Sequence, residues 1–181
     1  MAHIGIAGAG LAGRLFAWTL ARAGHSVEVF DPAPGPEPGF DGQGAAAFSA
    51  AGMLSPLAEQ ESGDAAMTAL GWTSLALWPQ IVARLSTPVR LQAQGSLLLA
   101  HGQDLGAAQR VLARVQGAEA LAPQRLAVLE PALRSDLRAW LLPGEGLIHP
   151  VEAMAALHDE APGVSWHWGQ VVSRLEPGRL D

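Results

Sequence analysis

The chain has 181 residues, of which 49% are hydrophobic and 15% charged, a balance that excludes a disordered protein and suffices for a globular core. A net charge of −6 without any basic run argues against nucleic acid as a partner. Because there is no cysteine, disulfides, thiol catalysis and cysteine metal sites are excluded. No apolar stretch approaches the ~20 residues of a membrane-spanning helix.

The first 31 residues predict a strand, a glycine-rich turn, a helix and a second strand. The apolar strand His3–Ala7 leads into the turn Gly8-Ala9-Gly10-Leu11-Ala12-Gly13. Apolar residues at helical spacing follow over 11–23, and an alternating strand over 26–30 ends at Asp31. This order of elements is what a GxGxxG dinucleotide-binding motif requires.

Each residue type in the motif has a physical reason. Gly8 permits the tight turn, Gly10 lets a pyrophosphate approach the backbone, and Gly13 lets the helix pack closely on the strands. The helix N-terminus favours an anion. Asp31 can accept both hydroxyls of an adenosine ribose and would repel the 2′-phosphate of NADP. The alternative is a glycine turn in an unrelated α/β domain.

The remaining chain alternates turns, helices and short strands. After a proline-rich loop at 32–39 and a run of small residues at 42–51, the pattern predicts a helix over 68–85 that Pro79 kinks or interrupts. Further on it predicts strands at 89–93, 96–100 and 139–142, helices at 105–115 and 150–160, and a strand over 164–175.

Other kinds of site are disfavoured. The six histidines are scattered, and His149 and His158 would lie at opposite ends of one helix, so no metal site is predicted. Ser49 lacks a nucleophile elbow and an acid–histidine pair. The first strand begins almost at Met1 with no basic segment before it, which predicts a cytoplasmic protein without a cleaved signal peptide.

A second segment is more specific than the glycine turn. Phe48-Ser49-Ala50-Ala51-Gly52-Met53-Leu54-Ser55-Pro56, followed by Glu59, resembles the D-amino-acid oxidase-like family of FAD-dependent oxidoreductases, and most closely its glycine oxidase branch. Gly95-Ser96-Leu97, Leu129-Glu130-Pro131 and the turn from Pro143 to Pro150 match further family segments in the same order.

The resemblance implies an α/β fold: a Rossmann-type FAD-binding domain with an inserted α/β substrate domain. The first would use residues 1–85 and 145–181, and the second residues 86–144. The resemblance covers about the N-terminal half of a family member. The C-terminal half, which carries the arginine for the substrate carboxylate, is expected to be missing, and the chain alone is expected to be inactive.

The resemblance also implies a set of cofactor-binding residues. Those around the FAD pyrophosphate would be Gly8, Gly10, Leu11, Ala12 and Gly13, with Asp31 on the ribose. The segment Ser49, Ala50, Ala51, Gly52 and Met53 would run along the flavin, with Met53 facing the reaction site, although an ordinary core methionine is the alternative. Val172 would read the adenine edge from a strand. Because the flavin-lining segment has no histidine or cysteine, non-covalent FAD is expected; Ala47 replaces a usual serine.

The implied reaction is oxidation of an amino acid or related amine, with hydride transfer from the amine-bearing carbon to flavin N5. The partner would be a small amine substrate, and a homo-oligomer remains open. Three alternatives stay open as well: an FAD-dependent monooxygenase, a tRNA-modifying FAD oxidoreductase, and a non-catalytic nucleotide-binding fragment.

Overall fold

The computed structural model describes residues 1–42, 44–58, 65–176 and 179–180. These divide into two compact units. The first unit consists of Met1–Gly52, Ile81–Arg90 and His149–Asp181, and the second of Met53–Gln80 and Leu91–Ile148. The domain limits expected from the sequence assign residues 53–80 and 145–148 to the FAD-binding domain and residues 86–90 to the substrate domain instead, and they stay a prediction.

The elements follow one another in mixed α/β order. In chain order they are β1 His3–Ala7, α1 Leu11–Arg22, β2 Ser26–Asp31, α2 Ala46–Ser49, β3 Met53–Leu54, α3 Ala65–Val82, β4 Leu91–Gln92, β5 Ser96–Ala100, a 3₁₀ turn Gly102–Asp104, α4 Leu105–Leu112, β6 Glu119–Leu121, α5 Pro123–Leu129, β7 Arg138–Leu142, β8 Gly146–Ile148, α6 Pro150–Asp159, β9 Ser165–Trp168, β10 Leu175–Glu176 and β11 Arg179–Leu180.

The first unit contains a parallel sheet in the order β1-β2-β9. Val27 and Val29 on β2 and Ala17 on α1 are buried together, and the half-buried Trp166 and Trp168 of β9 pack against this cluster. Parallel pairing places Ala7 opposite Phe30, so β1 and β2 end at the same edge of the sheet. The glycine turn after β1 and the acid ending β2 are therefore neighbours.

The second unit contains two antiparallel sheets, β5-β7-β6 and β3-β8-β4. Its core includes Leu57, Val115 and Leu142, with Trp72 and Leu98 packed against them. The tight approach of Gly95 to the Leu142 carbonyl, in the left-handed region at φ 89°, leaves no room there for a side chain. The cluster of Leu57, Val115 and Leu142 gives this unit a hydrophobic core of its own.

Four elements differ by more than one residue from the sequence-based expectations. The strand expected over 89–93 spans only Leu91–Gln92, and the helix expected over 105–115 ends at Leu112. The strand expected over 164–175 ends at Trp168, because Gly169 adopts φ 71° and turns the chain so that its N–H donates to the Ala33 carbonyl. Val172 is therefore not on a strand. The helix expected over 68–85 spans Ala65–Val82 and is not interrupted at Pro79. Glu59 lies outside the described residues.

Among the described residues, none of the helices combines the length and the apolar character needed to cross a membrane.

Candidate functional site

The glycine-rich turn joins β1 to α1 in a tightly packed geometry. Gly8 has φ 98°, and its N–H donates to the Phe30 carbonyl at 2.8 Å, which ties the turn to β2. A Cβ on Gly13 would overlap the Gly8 carbonyl oxygen, so the helix can begin this close to the turn only with glycine there. The first helical hydrogen bond runs from the Arg14 N–H to the Gly10 carbonyl at 3.0 Å.

The N-terminus of α1 is suited to an anion. Gly10 is the N-cap, no side chain caps the helix, and no acidic residue lies in its first turn. The N–H groups of that turn have no carbonyl partner within the helix, and the helix dipole adds a partial positive charge. A Cβ on Gly10 would lie 3.9 Å from the Ala45 Cβ, so it would narrow the space through which an anion reaches the N–H groups of α1. Leu11 is half-buried and Ala12 is exposed at this terminus.

Asp31 lies at the end of β2 and is held by backbone N–H groups on both sides. Its Oδ2 accepts from the Ala9 N–H at 2.6 Å, and its Oδ1 accepts from the Ala33 N–H at 2.8 Å. Because each carboxylate oxygen can accept more than one hydrogen bond, both retain capacity for a ligand hydroxyl. The half-buried carboxylate is thus fixed in position at the sheet edge.

A cavity of about 480 Å³ lies beside this edge of the sheet, and we call it the turn cavity. The turn supplies Ala9, α1 supplies Arg14, β2 supplies Asp31, α2 supplies Phe48 and β9 supplies Trp168; the rest of the lining comes from residues between Pro32 and Ala45. The donors of α1, the acid of β2 and this adjoining space fit the diphosphate and ribose of a dinucleotide such as FAD.

Arg14 is the residue of this site that sequence reasoning missed. Its side chain is 1% exposed, and its guanidinium donates to three backbone carbonyls: Ala9 at 2.8 Å, Met154 at 2.9 Å and Pro36 at 2.9 Å. The signal was present, because Arg14 falls on the same helical stripe as Leu11 and Trp18. An arginine within an apolar stripe indicates a buried guanidinium.

Burial lowers the pKa of Arg14 from its usual range, and the carboxylates of Asp31, Asp159 and Glu37 oppose that shift. A guanidinium stays protonated despite such a decrease. Its carbon also lies 5.5 Å from the centre of the Phe48 ring and 5.6 Å from that of Trp168, so two aromatic faces contribute cation–π attraction. Arg14 is therefore a buried cation beside the turn cavity.

The residues of the expected flavin-lining segment are not among those that line the turn cavity. Ser49 ends α2 and is exposed, as are Ala50 and Ala51. Gly52 has φ 78°, and Met53 pairs with Leu147 in a short antiparallel ladder. None of these residues lines the cavity, and neither does Val172. Their roles toward a flavin stay predictions.

Met53 is 56% exposed in this structure. The described residues around it therefore do not bury it as a core methionine, which was the alternative to a flavin-facing role.

Comparison with known proteins identifies the family of this site. Residues 3–180 match the DAO family, described as FAD dependent oxidoreductase. Thiamine biosynthesis oxidoreductase ThiO from Rhizobium etli is 35% identical over 151 residues, which are 83% of this chain and 43% of that protein. The tRNA 5-methylaminomethyl-2-thiouridine biosynthesis bifunctional protein MnmC from Azoarcus is 30% identical over 93% of this chain and 26% of that protein.

The solved structure of glycine oxidase from Geobacillus kaustophilus superposes on this chain with a TM-score of 0.79 and 25% identity, covering 95% of this chain and 48% of that one. The chain thus spans about half the length, or less, of the relatives it matches. The expected family and cofactor are confirmed, since the match extends from β1 almost to the end of the chain. This chain belongs to the DAO family of FAD-dependent oxidoreductases.

Proposed function

We propose that this chain forms the FAD-binding part of an enzyme that oxidises an amino acid or a related amine. The observation that carries the proposal is the dinucleotide turn with Asp31 held beside it, in a chain that is similar to glycine oxidase over 95% of its length. The similarity to the thiamine biosynthesis oxidoreductase ThiO supports an oxidoreductase activity.

The residues of the first unit would bind the cofactor without a covalent link. The N–H groups after Gly10 would hold the diphosphate, and Asp31 would accept the ribose hydroxyls. FAD, when bound, would supply the two-electron chemistry by accepting hydride at flavin N5 from the carbon that bears the amine. The chain's own contribution is orientation and exclusion of water, as is usual where a cofactor performs the electron transfer.

The segment from Ser49 to Met53 would run along the flavin, with Met53 on the side of the reaction. Its 56% exposure leaves the side chain open to contact with a bound group, as this assignment requires. The residues that select the substrate, including a cation for a substrate carboxylate, would lie in the part of a family member that this chain does not span.

Oxidative modification of a tRNA uridine is a second candidate, favoured by the similarity to MnmC over 93% of the chain. The net charge of −6 weighs against it, because tRNA binding requires clusters of lysine or arginine against phosphates. An amine of low molecular weight therefore remains the preferred substrate class.

The test is an absorbance spectrum of protein expressed from the longest reading frame that contains this sequence. The spectrum would be recorded anaerobically before and after addition of glycine, sarcosine, D-proline or tRNA. Flavin bands that bleach with an amine would support the proposal, and release of the flavin by heat would identify non-covalent FAD. Bleaching with tRNA alone, or with NADPH alone, would replace it with the tRNA-modifying or monooxygenase alternative. A colourless protein that FAD cannot reconstitute would overturn it.

A further inference from the structure

The guanidinium of Arg14 has capacity for a further ligand. It uses one N–H on each of its three nitrogens for the Ala9, Met154 and Pro36 carbonyls. A guanidinium carries five N–H groups, so one on each terminal nitrogen has no acceptor within the described chain. These spare donors belong to a side chain that is 1% exposed and that lines the turn cavity.

Arg14 also lacks a close counter-ion. Within the described residues, no carboxylate forms an ion pair with it at 4 Å or less, and all three of its acceptors are neutral carbonyls. Burying a cation without an ionic partner is costly, and carbonyls and aromatic faces offset only part of that cost. An anion that enters the cavity would supply the missing partner.

Arg14 differs in charge from the other ionisable residues of the turn cavity. Among the described residues of the lining, Asp31, Glu37 and Asp41 are acidic, and Arg14 alone is basic. A diphosphate entering this acidic surround would find one full positive charge, in addition to the partial charge at the N-terminus of α1. Guanidinium donors also match phosphate oxygens in geometry.

We propose that Arg14 is a specificity-determining residue for the diphosphate of the bound dinucleotide: it supplies the cavity's cation and selects diphosphate-bearing adenine nucleotides over uncharged adenosine. This inference rests on the proposed function, since it assumes that the turn cavity receives the ADP portion of FAD. The inference adds Arg14, a residue of α1 outside the glycine motif, to the residues expected to bind the diphosphate.

A purely structural role is the rival explanation. The same guanidinium ties the turn at Ala9 to the loop at Pro36 and to α6 at Met154, so its removal could loosen the cavity wall. A loosened wall would weaken every adenine ligand by a similar factor. Loss of a cation would weaken ADP and spare adenosine. The ratio of the two affinities therefore separates the explanations.

The experiment measures ADP and adenosine binding by titration calorimetry to the flavin-free protein and its R14Q, R14K and R22Q variants. Arg22 is the matched control, because it is exposed at the other end of α1 and removing it changes the net charge equally. We expect R14Q to weaken ADP about 10- to 100-fold and adenosine by less than about threefold. R14K should recover part of the ADP affinity because it keeps the charge, and R22Q should change neither ligand.

Circular dichroism and thermal unfolding would check that each variant folds. If R14Q does not fold, R14K carries the test: loss of the planar fork should weaken ADP about 3- to 10-fold and leave adenosine unchanged. Equal losses for ADP and adenosine, or unchanged ADP binding, would overturn the inference.

The outcomes also separate this inference from the proposed function. Amine-dependent bleaching together with unchanged ADP affinity in R14Q overturns the role of Arg14 alone. Selective loss of ADP in a protein whose flavin no amine reduces overturns the proposed function alone. A wild-type protein that binds neither ADP nor FAD overturns both.

Discussion

Glu145 provides the most direct test of how the second unit is stabilised. Its side chain is fully buried, and its carboxylate accepts from the Leu57 N–H at 2.8 Å, the Ala58 N–H at 2.9 Å and the Ser96 hydroxyl. These partners come from the segment after β3 and from β5. The carboxylate therefore joins two parts of the chain that no local motif connects.

Replacing Glu145 by alanine removes the acceptor from two backbone donors and leaves a cavity. An unsatisfied buried N–H costs about 1–3 kcal/mol, so the two donors together predict a loss of about 2–6 kcal/mol of unfolding free energy. Glutamine keeps one oxygen for both N–H groups and can donate to the Ser96 oxygen, so E145Q should lose only about 1–2 kcal/mol from the missing charge.

Urea unfolding followed by tryptophan fluorescence measures both variants, since Trp72 packs against the core of this unit. Glu119→Ala is the control, because Glu119 is an exposed glutamate of β6. The reasoning fails if E145A lies within about 0.5 kcal/mol of that control. It also fails if E145Q destabilises the protein as much as E145A does.

Three further predictions concern the first unit. Gly13→Ala places a methyl group against the carbonyl of the glycine turn, so it should lower the free energy of unfolding by about 1–3 kcal/mol in urea, whereas Gly102→Ala, whose new Cβ meets open space, should not. Asp31→Asn removes a charged acceptor and should weaken FAD binding about 10-fold in a flavin fluorescence titration. Glu160 has a pKa held below its ordinary 4.5, first by the Ser86 backbone N–H, so its stabilisation is present above that pH and lost as the pH falls through the lowered value. Melting temperatures of Glu160→Gln and wild type should differ at neutral pH and converge in acid.

The dinucleotide turn was predictable because its determinants are local. The strand His3–Ala7, the helix beginning at Leu11 and the acid at the end of β2 follow from alternation, helical spacing and glycine placement within 31 residues. The structure confirms these elements, with the helix ending at Arg22. Local sequence patterns suffice to predict elements such as β1, α1 and β2, which follow one another in the chain and pack together.

Features that depend on distant residues were not predictable in this way. Arg14 contacts the Met154 carbonyl 140 residues away, and Glu145 accepts from an N–H 88 residues away. β9 ends where Gly169 turns the chain and donates its N–H to the Ala33 carbonyl. That acceptor is distant in sequence, so the turn could not be predicted from the local pattern. Single-residue patterns carry no information about such partners.

Asp31 shows how a local motif and distant contacts combine at one site. Asp31, which we expect to bind the ribose, accepts from the Ala9 N–H and the Ala33 N–H with one carboxylate oxygen each. The backbone on either side of the acid therefore closes on it, and the Gln170 N–H adds a bond to its carbonyl at 3.0 Å. A carboxylate held by two backbone N–H groups needs little reordering when a ligand arrives, so less binding free energy is lost to ordering it.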